Sequence, residues 1–223
     1  MVTVAPPRQL KIGTIIDKTL GVVEYSTAAV AIYIAGLSLV HAAIKYFTVS
    51  MGPLEQMGGG LAQFVVGITA SYLVLEAMVR KTGLRSRADD DVFFAFFALS
   101  ILYILGLFAG LVALVLPGLV IMARWSLAQP MMIARGDGVM QALGGSWERT
   151  KGNEFQIIVA VLALYIVPIA IVIACSLMFD PADPIGIGLT QFVSSIMSAL
   201  GLAMGVALYG LMEGHRVSAS PTG

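Results

Sequence analysis

The sequence predicts an all-α integral membrane protein with six transmembrane helices, a Pro-Gly hairpin between the third and fourth spans, and a cytoplasmic interfacial helix. Three observations lead there. Of 223 residues, 58% are hydrophobic and 12% charged, about half the charge of an ordinary soluble domain. The apolar residues fall into runs long enough to cross a ~30 Å hydrocarbon core, which takes about 20 helical residues. The basic residues gather in alternate loops.

Residues 1–25 read as a cytoplasmic amphipathic lead-in. Ile12, Ile15, Ile16, Thr19, Leu20 and Val23 recur at helical spacing, while Lys11, Asp17, Lys18 and Glu24 fall elsewhere. That is the pattern of a helix lying in the interface. The polar opening with Pro6 and Pro7 lacks the features of a cleavable signal, so the first apolar run is expected to persist.

The first span is predicted at residues 26–47. His41 and Lys45 sit one turn apart near its far end, where a lysine snorkels to the interface. Residues 50–60 read as a turn-rich loop with Glu55 and no basic residue. The second span, 61–79, contains Glu76 and is followed by Arg80, Lys81, Arg85 and Arg87. Asp89, Asp90 and Asp91 are placed to cap the next helix, since acidic groups favour a helix N-terminus.

Residues 92–134 stay largely apolar. A single helix of that length would measure about 65 Å, roughly twice the core thickness. Pro117 and Gly118 mark the division, because proline suits the first turn of a helix. The third span is therefore set at 92–115 and the fourth at 117–134. Residues 135–153 are polar and basic. There Asp137 is placed to cap a short helix whose apolar side is Val139, Met140, Leu143 and Trp147, and Gly152 to end it. The fifth span follows at 154–178, kinked by Pro168, then an acidic loop at 180–188 and the sixth span at 189–212. The membrane domain thus covers 26–213, and 214–223 reads as a flexible tail.

Charge fixes the orientation. Arg8, Lys11 and Lys18 precede the first span; Arg80, Lys81, Arg85 and Arg87 follow the second; Arg135, Arg149 and Lys151 follow the fourth; Arg216 follows the sixth. The loops between hold no Lys or Arg. With six spans every cluster falls on one side, which the positive-inside rule makes cytoplasmic. With five, the 80–87 and 135–151 clusters would face opposite ways. Both termini are accordingly expected inside a bacterial inner membrane.

Arg124 is the residue most in need of a partner. An arginine within a span costs at least ~2.5–3.5 kcal/mol, so it should face the bundle, with Glu76 the first candidate carboxylate. The pair would either lock helix packing or frame a site for an anion. Gly106 with Gly110, and Gly201 with Gly205, match G-x-x-x-G spacing, which lets helix backbones approach. Packing inside the bundle is the expected use, with Ser194, Ser195 and Ser198 extending the small polar side of the last span; the alternative use of those serines is to line a polar cavity, although no ionisable residue accompanies them. Cys175 lies in an apolar run and reads as a packing residue.

Lys+Arg and Asp+Glu balance at 13 each, which removes any global electrostatic case for nucleic acid. The two histidines, His41 and His215, are expected on opposite faces, too far apart for a shared metal. The chain contains no G-x-S-x-G elbow, H-E-x-x-H, P-loop or dinucleotide fingerprint. No cofactor, metal or catalytic residue is therefore expected.

Pro117 and Gly118, Arg124, Pro130, Ala142 and Leu143, Ser146 to Glu148, and Thr150 to Asn153 together resemble a bacterial six-span membrane family. That family includes the membrane domain of some glycerophosphoryl diester phosphodiesterases and related uncharacterised inner-membrane proteins. The resemblance is strongest over about 40 residues. This chain has no room for the soluble catalytic barrel of those enzymes, so the resemblance implies architecture rather than activity. Gly144 and Gly145 replace residues that are usually polar or basic there. Two adjacent glycines weaken a helix by up to ~1 kcal/mol each, so a break is expected at that point.

The expected function is a non-catalytic inner-membrane protein that binds lipid or a membrane-protein partner, or a second copy of itself, through 135–153. Trp147 would sit at headgroup level while Arg149 and Lys151 meet phosphates. The alternative is a small-solute or anion transporter or channel built around Arg124.

Overall fold

A computed structural model describes residues 9–85, 92–113 and 115–213. Among these residues the chain is helical throughout, without strands, in the order α1 (Ile12–Tyr25), α2 (Thr27–Thr48), α3 (Pro53–Lys81), α4 (Phe93–Ala113), α5 (Val115–Trp125), α6 (Ala128–Arg135), α7 (Val139–Arg149), α8 (Glu154–Met178) and α9 (Pro184–Glu213). Five of them, α2, α3, α4, α8 and α9, are long and apolar enough to cross a membrane.

The apolar runs became helices with bounds close to those expected for α2, α4 and α8; α8 continues through Pro168. Two helices start earlier than their hydropathy suggested. The supposed loop at 50–60 is helical from Pro53, because proline at the first helical position needs no donor. The helix then runs through Gly58, Gly59 and Gly60, where Gly59 faces Thr48 of α2. Likewise α9 begins at Pro184, where the Asp183 carboxylate accepts from the N–H of Ile185 at 2.8 Å and of Gly186 at 2.9 Å, an N-cap. The caps proposed at residues 89–91, and the tail from 214 onward with His215, lie outside the described residues.

The fourth predicted span is not one helix. It divides into α5 and α6 at Ser126 and Leu127. Pro130 accounts for the break: it has no N–H for the Ser126 carbonyl four residues earlier, and its ring crowds that carbonyl. Helix α4 ends at Ala113 and α5 begins at Val115, so Pro117, where the division was expected, is the third residue of α5.

The bundle is built from antiparallel neighbours. On α2 and α3, Tyr33 meets Ser71 at 3.2 Å, and His41 and Gln63 exchange two 3.0 Å side-chain-to-backbone hydrogen bonds. Against α4, Gly118 and Trp125 of α5 meet Gly110 and Gly106, and Gln129 of α6 donates to Ser100 at 3.4 Å. On α8 and α9, the Tyr165 hydroxyl donates to the Met197 carbonyl at 3.0 Å. Helix α9 is the centre, packed on α1, α2, α3, α6 and α8. Its segment from Ala203 to Gly210 is buried continuously.

Helix α1 buries Ile15, Thr19 and Val22 against α8 and α9. The predicted apolar face is therefore used against protein, except that Leu20 is exposed and Val22 takes its place. Both G-x-x-x-G pairs serve packing within the chain. A methyl group on Gly110 would lie 2.9 Å from the Gly118 Cα, and one on Gly205 3.0 Å from the Ser126 carbonyl. Gly110→Ala is accordingly expected to lose about 1–3 kcal/mol through overpacking. Gly58→Ala, with open space around it, should gain about 0.5–1 kcal/mol. Unfolding midpoints of the two variants, measured in the same detergent, should move in opposite directions.

Candidate functional site

Two features stand out on either side of the helix break: a polar elbow around Arg124 and a cavity lined by hydroxyls and amides.

At the elbow, the Arg124 guanidinium forms an ion pair with Glu154, the first residue of α8, and donates to the Trp147 carbonyl at 2.8 Å. It also lies over the Trp147 ring, 5.0 Å from the centroid, within cation–π range. The expected partner, Glu76, instead binds Arg85 at 2.9 Å, with Arg80 at 3.8 Å. The reason is position: α5 packs on α7 and α8, which bring Glu154 to Arg124, while Glu76 and Arg85 close the end of α3.

Below this pair, α7 replaces the backbone bonds lost at the break. Ser146 Oγ accepts from the Leu127 N–H at 3.1 Å and donates to the Arg124 carbonyl at 2.6 Å. Ser126 Oγ donates to the Ala123 carbonyl at 2.8 Å, the group Leu127 would have bonded in an unbroken helix. Thr150 Oγ1 reaches the Arg124 carbonyl at 3.3 Å, and Asn153 Oδ1 accepts from the Leu10 N–H at 2.7 Å. Ser146, Thr150 and Asn153 are all buried.

Helix α7 therefore turns a different side inward from the one predicted. Ala142, Leu143 and Ser146 are buried, while Met140 is exposed and Trp147 partly so. Only Leu143 of the expected apolar side is buried, because the broken helix demanded hydroxyls there. Gly144 and Gly145 do not interrupt α7; a methyl group on Gly145 would lie 2.7 Å from Met131 Cε, so this glycine serves close packing. Asp137 does not cap α7. Gly138 stands at the N-cap, and its N–H donates to the Gln141 side chain at 3.2 Å. Gly136 and Gly152 take positive φ, 70° and 83°, a conformation glycine adopts without steric cost, and so end α6 and bend the chain after α7.

The cationic surface expected on 135–153 is smaller than the sequence suggested. Arg149 and Arg135 both pair with Glu213 at the end of α9, and Arg135 also donates to the Tyr209 hydroxyl at 3.0 Å. Lys151 is exposed. Outside the elbow, α4 and α7 enclose an open apolar groove of about 630 Å³, walled by Leu102, Leu105, Trp125, Met140 and Trp147.

The second feature is a cavity in two adjoining lobes of about 280 and 230 Å³. Ser71, Tyr103, Gln129 and Ser198 line both lobes. One lobe extends to His41 and Gln63, the other to Trp125, Ser126 and Tyr165 at the helix break. No Asp, Glu, Lys or Arg lines either lobe, and Arg124 stands outside both.

No protein-family model, curated protein or solved structure matches the chain.

Among the predicted site residues, Arg124, Pro130 and Trp147 converge on the elbow, directly or through Ser126. Pro117 is exposed and Gly118 buried against α4, and Glu76 belongs to a separate ion pair. Sequence reasoning missed Glu154 and Glu213, which looked like ordinary helix-end carboxylates. Of the cavity polar groups it offered only Ser198, with its neighbours Ser194 and Ser195; the others are single hydroxyls and amides dispersed over α2, α3, α4, α6 and α8. One signal was legible: Ser146, Thr150 and Asn153 recur at four- and three-residue spacing, a polar helical stripe of the kind that faces something polar. Among the described residues no His, Cys, Asp and Glu cluster could hold a metal.

Proposed function

We propose that the chain is a non-catalytic protein of the bacterial inner membrane that crosses it six times and holds an anionic phospholipid at α7. The five long helices supply five crossings, and α5 with α6 supplies the fourth in two pieces. Together those pieces rise about 30 Å, enough for the core. A break at that depth is tolerable where protein satisfies the freed backbone, which Ser126, Ser146 and Thr150 do. On this reading α4 and α5 form the hairpin, both termini are cytoplasmic, and α7 lies at the cytoplasmic interface.

The apolar groove between α4 and α7 carries the lipid assignment. Leu102, the groove residue nearest the start of α4, lies about 13 Å along the helix from Phe93, which puts the groove at acyl-chain depth. Its walls, Trp147 among them, suit one hydrocarbon chain, and exposed Lys151 offers a charge to a phosphate. The anion-transport alternative has less support. Arg124 is neutralised by Glu154, and the cavity does not reach it.

Native mass spectrometry of the detergent-extracted protein tests the lipid reading. Wild-type protein should retain phosphatidylglycerol, and Trp147→Ala combined with Lys151→Ala should reduce that retention by about fivefold or more, as expected for losing ~1 kcal/mol of phosphate attraction and part of the groove wall. Equal retention by the double variant would remove the site. Thiols introduced by Arg85→Cys and Lys151→Cys test the crossings. Both should resist an impermeant reagent added outside intact cells, whereas labelling of one alone would break the six-crossing arrangement.

A further inference from the structure

The two-lobed cavity shares the Trp125 ring with the lipid groove but otherwise has its own lining, and Arg124 is not part of it. We propose that it is a hydrated vestibule that binds a small, uncharged, polyhydroxylated solute. Three observations support this. First, the central helix α9 is packed on five other helices, yet Ser198 in its middle is exposed. An exposed residue at the centre of a bundle faces an opening, and Ser198 lines both lobes. Second, the groups presented are hydroxyls and amides from many elements: Tyr33, Ser71, Tyr103, Gln129 and Ser198. In an apolar bundle such groups are retained where they have partners, supplied by the protein, by water or by a ligand. Tyr33 and Ser71 bond each other at 3.2 Å, and Gln129 reaches Ser100 at 3.4 Å. Both bonds are long enough to yield to a competing hydroxyl.

Third, no Asp, Glu, Lys or Arg lines it, and the one imidazole, His41, is already engaged by the Gln63 carbonyl at 3.0 Å. An ion entering it would leave water without a counter-ion, a transfer that costs several kcal/mol, whereas a neutral polyol exchanges its water bonds for hydroxyl and amide bonds. The rings of Tyr103, Trp125 and Tyr165 give the inner lobe flat apolar walls for the C–H faces of such a molecule. The inner lobe ends at Ser126, where Pro130 interrupts the helix. Discontinuous helices place adaptable backbone at solute sites near the middle of membrane bundles. Lobes of about 280 and 230 Å³ each accommodate a molecule of a few carbons.

Thiol accessibility provides the test, with xylitol as the probe and Cys175→Ala as the background. Ser198→Cys is nearly isosteric. In protein reconstituted in nanodiscs, its thiol should react with a small uncharged hydrophilic reagent at least about tenfold faster than the thiol of Ala199→Cys, whose site is buried. Xylitol should slow that reaction several-fold, and sodium acetate at equal osmolarity should not. Ser71→Cys, from the facing helix, should behave the same way and serves if the first variant fails to assemble. Thiols at 198 and 71 as inert as that at 199 would overturn the vestibule. Equal slowing by acetate and xylitol, or none by xylitol, would overturn the assignment of an uncharged polyol.

Discussion

Arg124→Ala is expected to destabilise the folded protein by about 3 kcal/mol. The guanidinium is the busiest group in the elbow: it pairs with Glu154, donates to the Trp147 carbonyl and covers the Trp147 ring. Its side chain is 12% exposed and that of Glu154 25%, so the pair is shielded well beyond a surface salt bridge, which contributes about 0–1 kcal/mol. Truncating the arginine leaves the carboxylate half-buried without its cation. It also leaves the Trp147 carbonyl with only the longer 3.3 Å bond from the Thr150 hydroxyl. Glu154→Gln should cost less, because the amide still accepts a hydrogen bond and the neutral group needs no counter-charge. A double-mutant cycle with Glu154→Ala should give a coupling of about 1–3 kcal/mol. Equilibrium unfolding in mixed micelles reads all of these, and an unchanged midpoint for Arg124→Ala would show that α5, α7 and α8 are held together by packing alone.

The helical plan was legible because hydropathy and length suffice for it. A run such as 154–178 has no structure open to it in lipid other than a helix that bonds its own backbone, and α8 has those bounds. Helix starts were less legible where proline and glycine carried two meanings. Pro53 and Pro184 read as loop residues, yet both begin helices. Pro130 was singled out, but its effect on Ser126 was not foreseen, since kinked and broken helices look alike in composition. Ion-pair choice was illegible for a different reason. Arg124 needed a carboxylate, and sequence favoured Glu76 because it lies within a span, while Glu154 and Glu213 stand at helix ends. The packing of α5 on α7 and α8 selects Glu154 instead. The cavity was legible only through the serines of α9, because every other helix that lines it contributes one or two neutral groups.

Ser146→Ala is expected to cost about 2–4 kcal/mol, the sum of two buried backbone groups left short of a partner at ~1–3 kcal/mol each, less what Thr150 recovers. Ser146 Oγ is both acceptor for the Leu127 N–H and donor to the Arg124 carbonyl, so one hydroxyl closes the gap on both sides of the break. Alanine can do neither, and burial at this site denies water easy access. Thr150 still reaches the Arg124 carbonyl at 3.3 Å, which leaves the Leu127 N–H as the group most exposed to the change. Hydrogen exchange locates the effect. The Leu127 amide should lose protection beyond the global loss, while amides in the buried part of α9 should lose only the global share. Ser146→Thr, which keeps the hydroxyl, should restore most of the local protection if the added methyl group is accommodated. Should Ser146→Ala instead leave the Leu127 amide as protected as before, the break would be held by Pro130 and the packing of α6. The polar stripe of α7 would then need another reason to be buried.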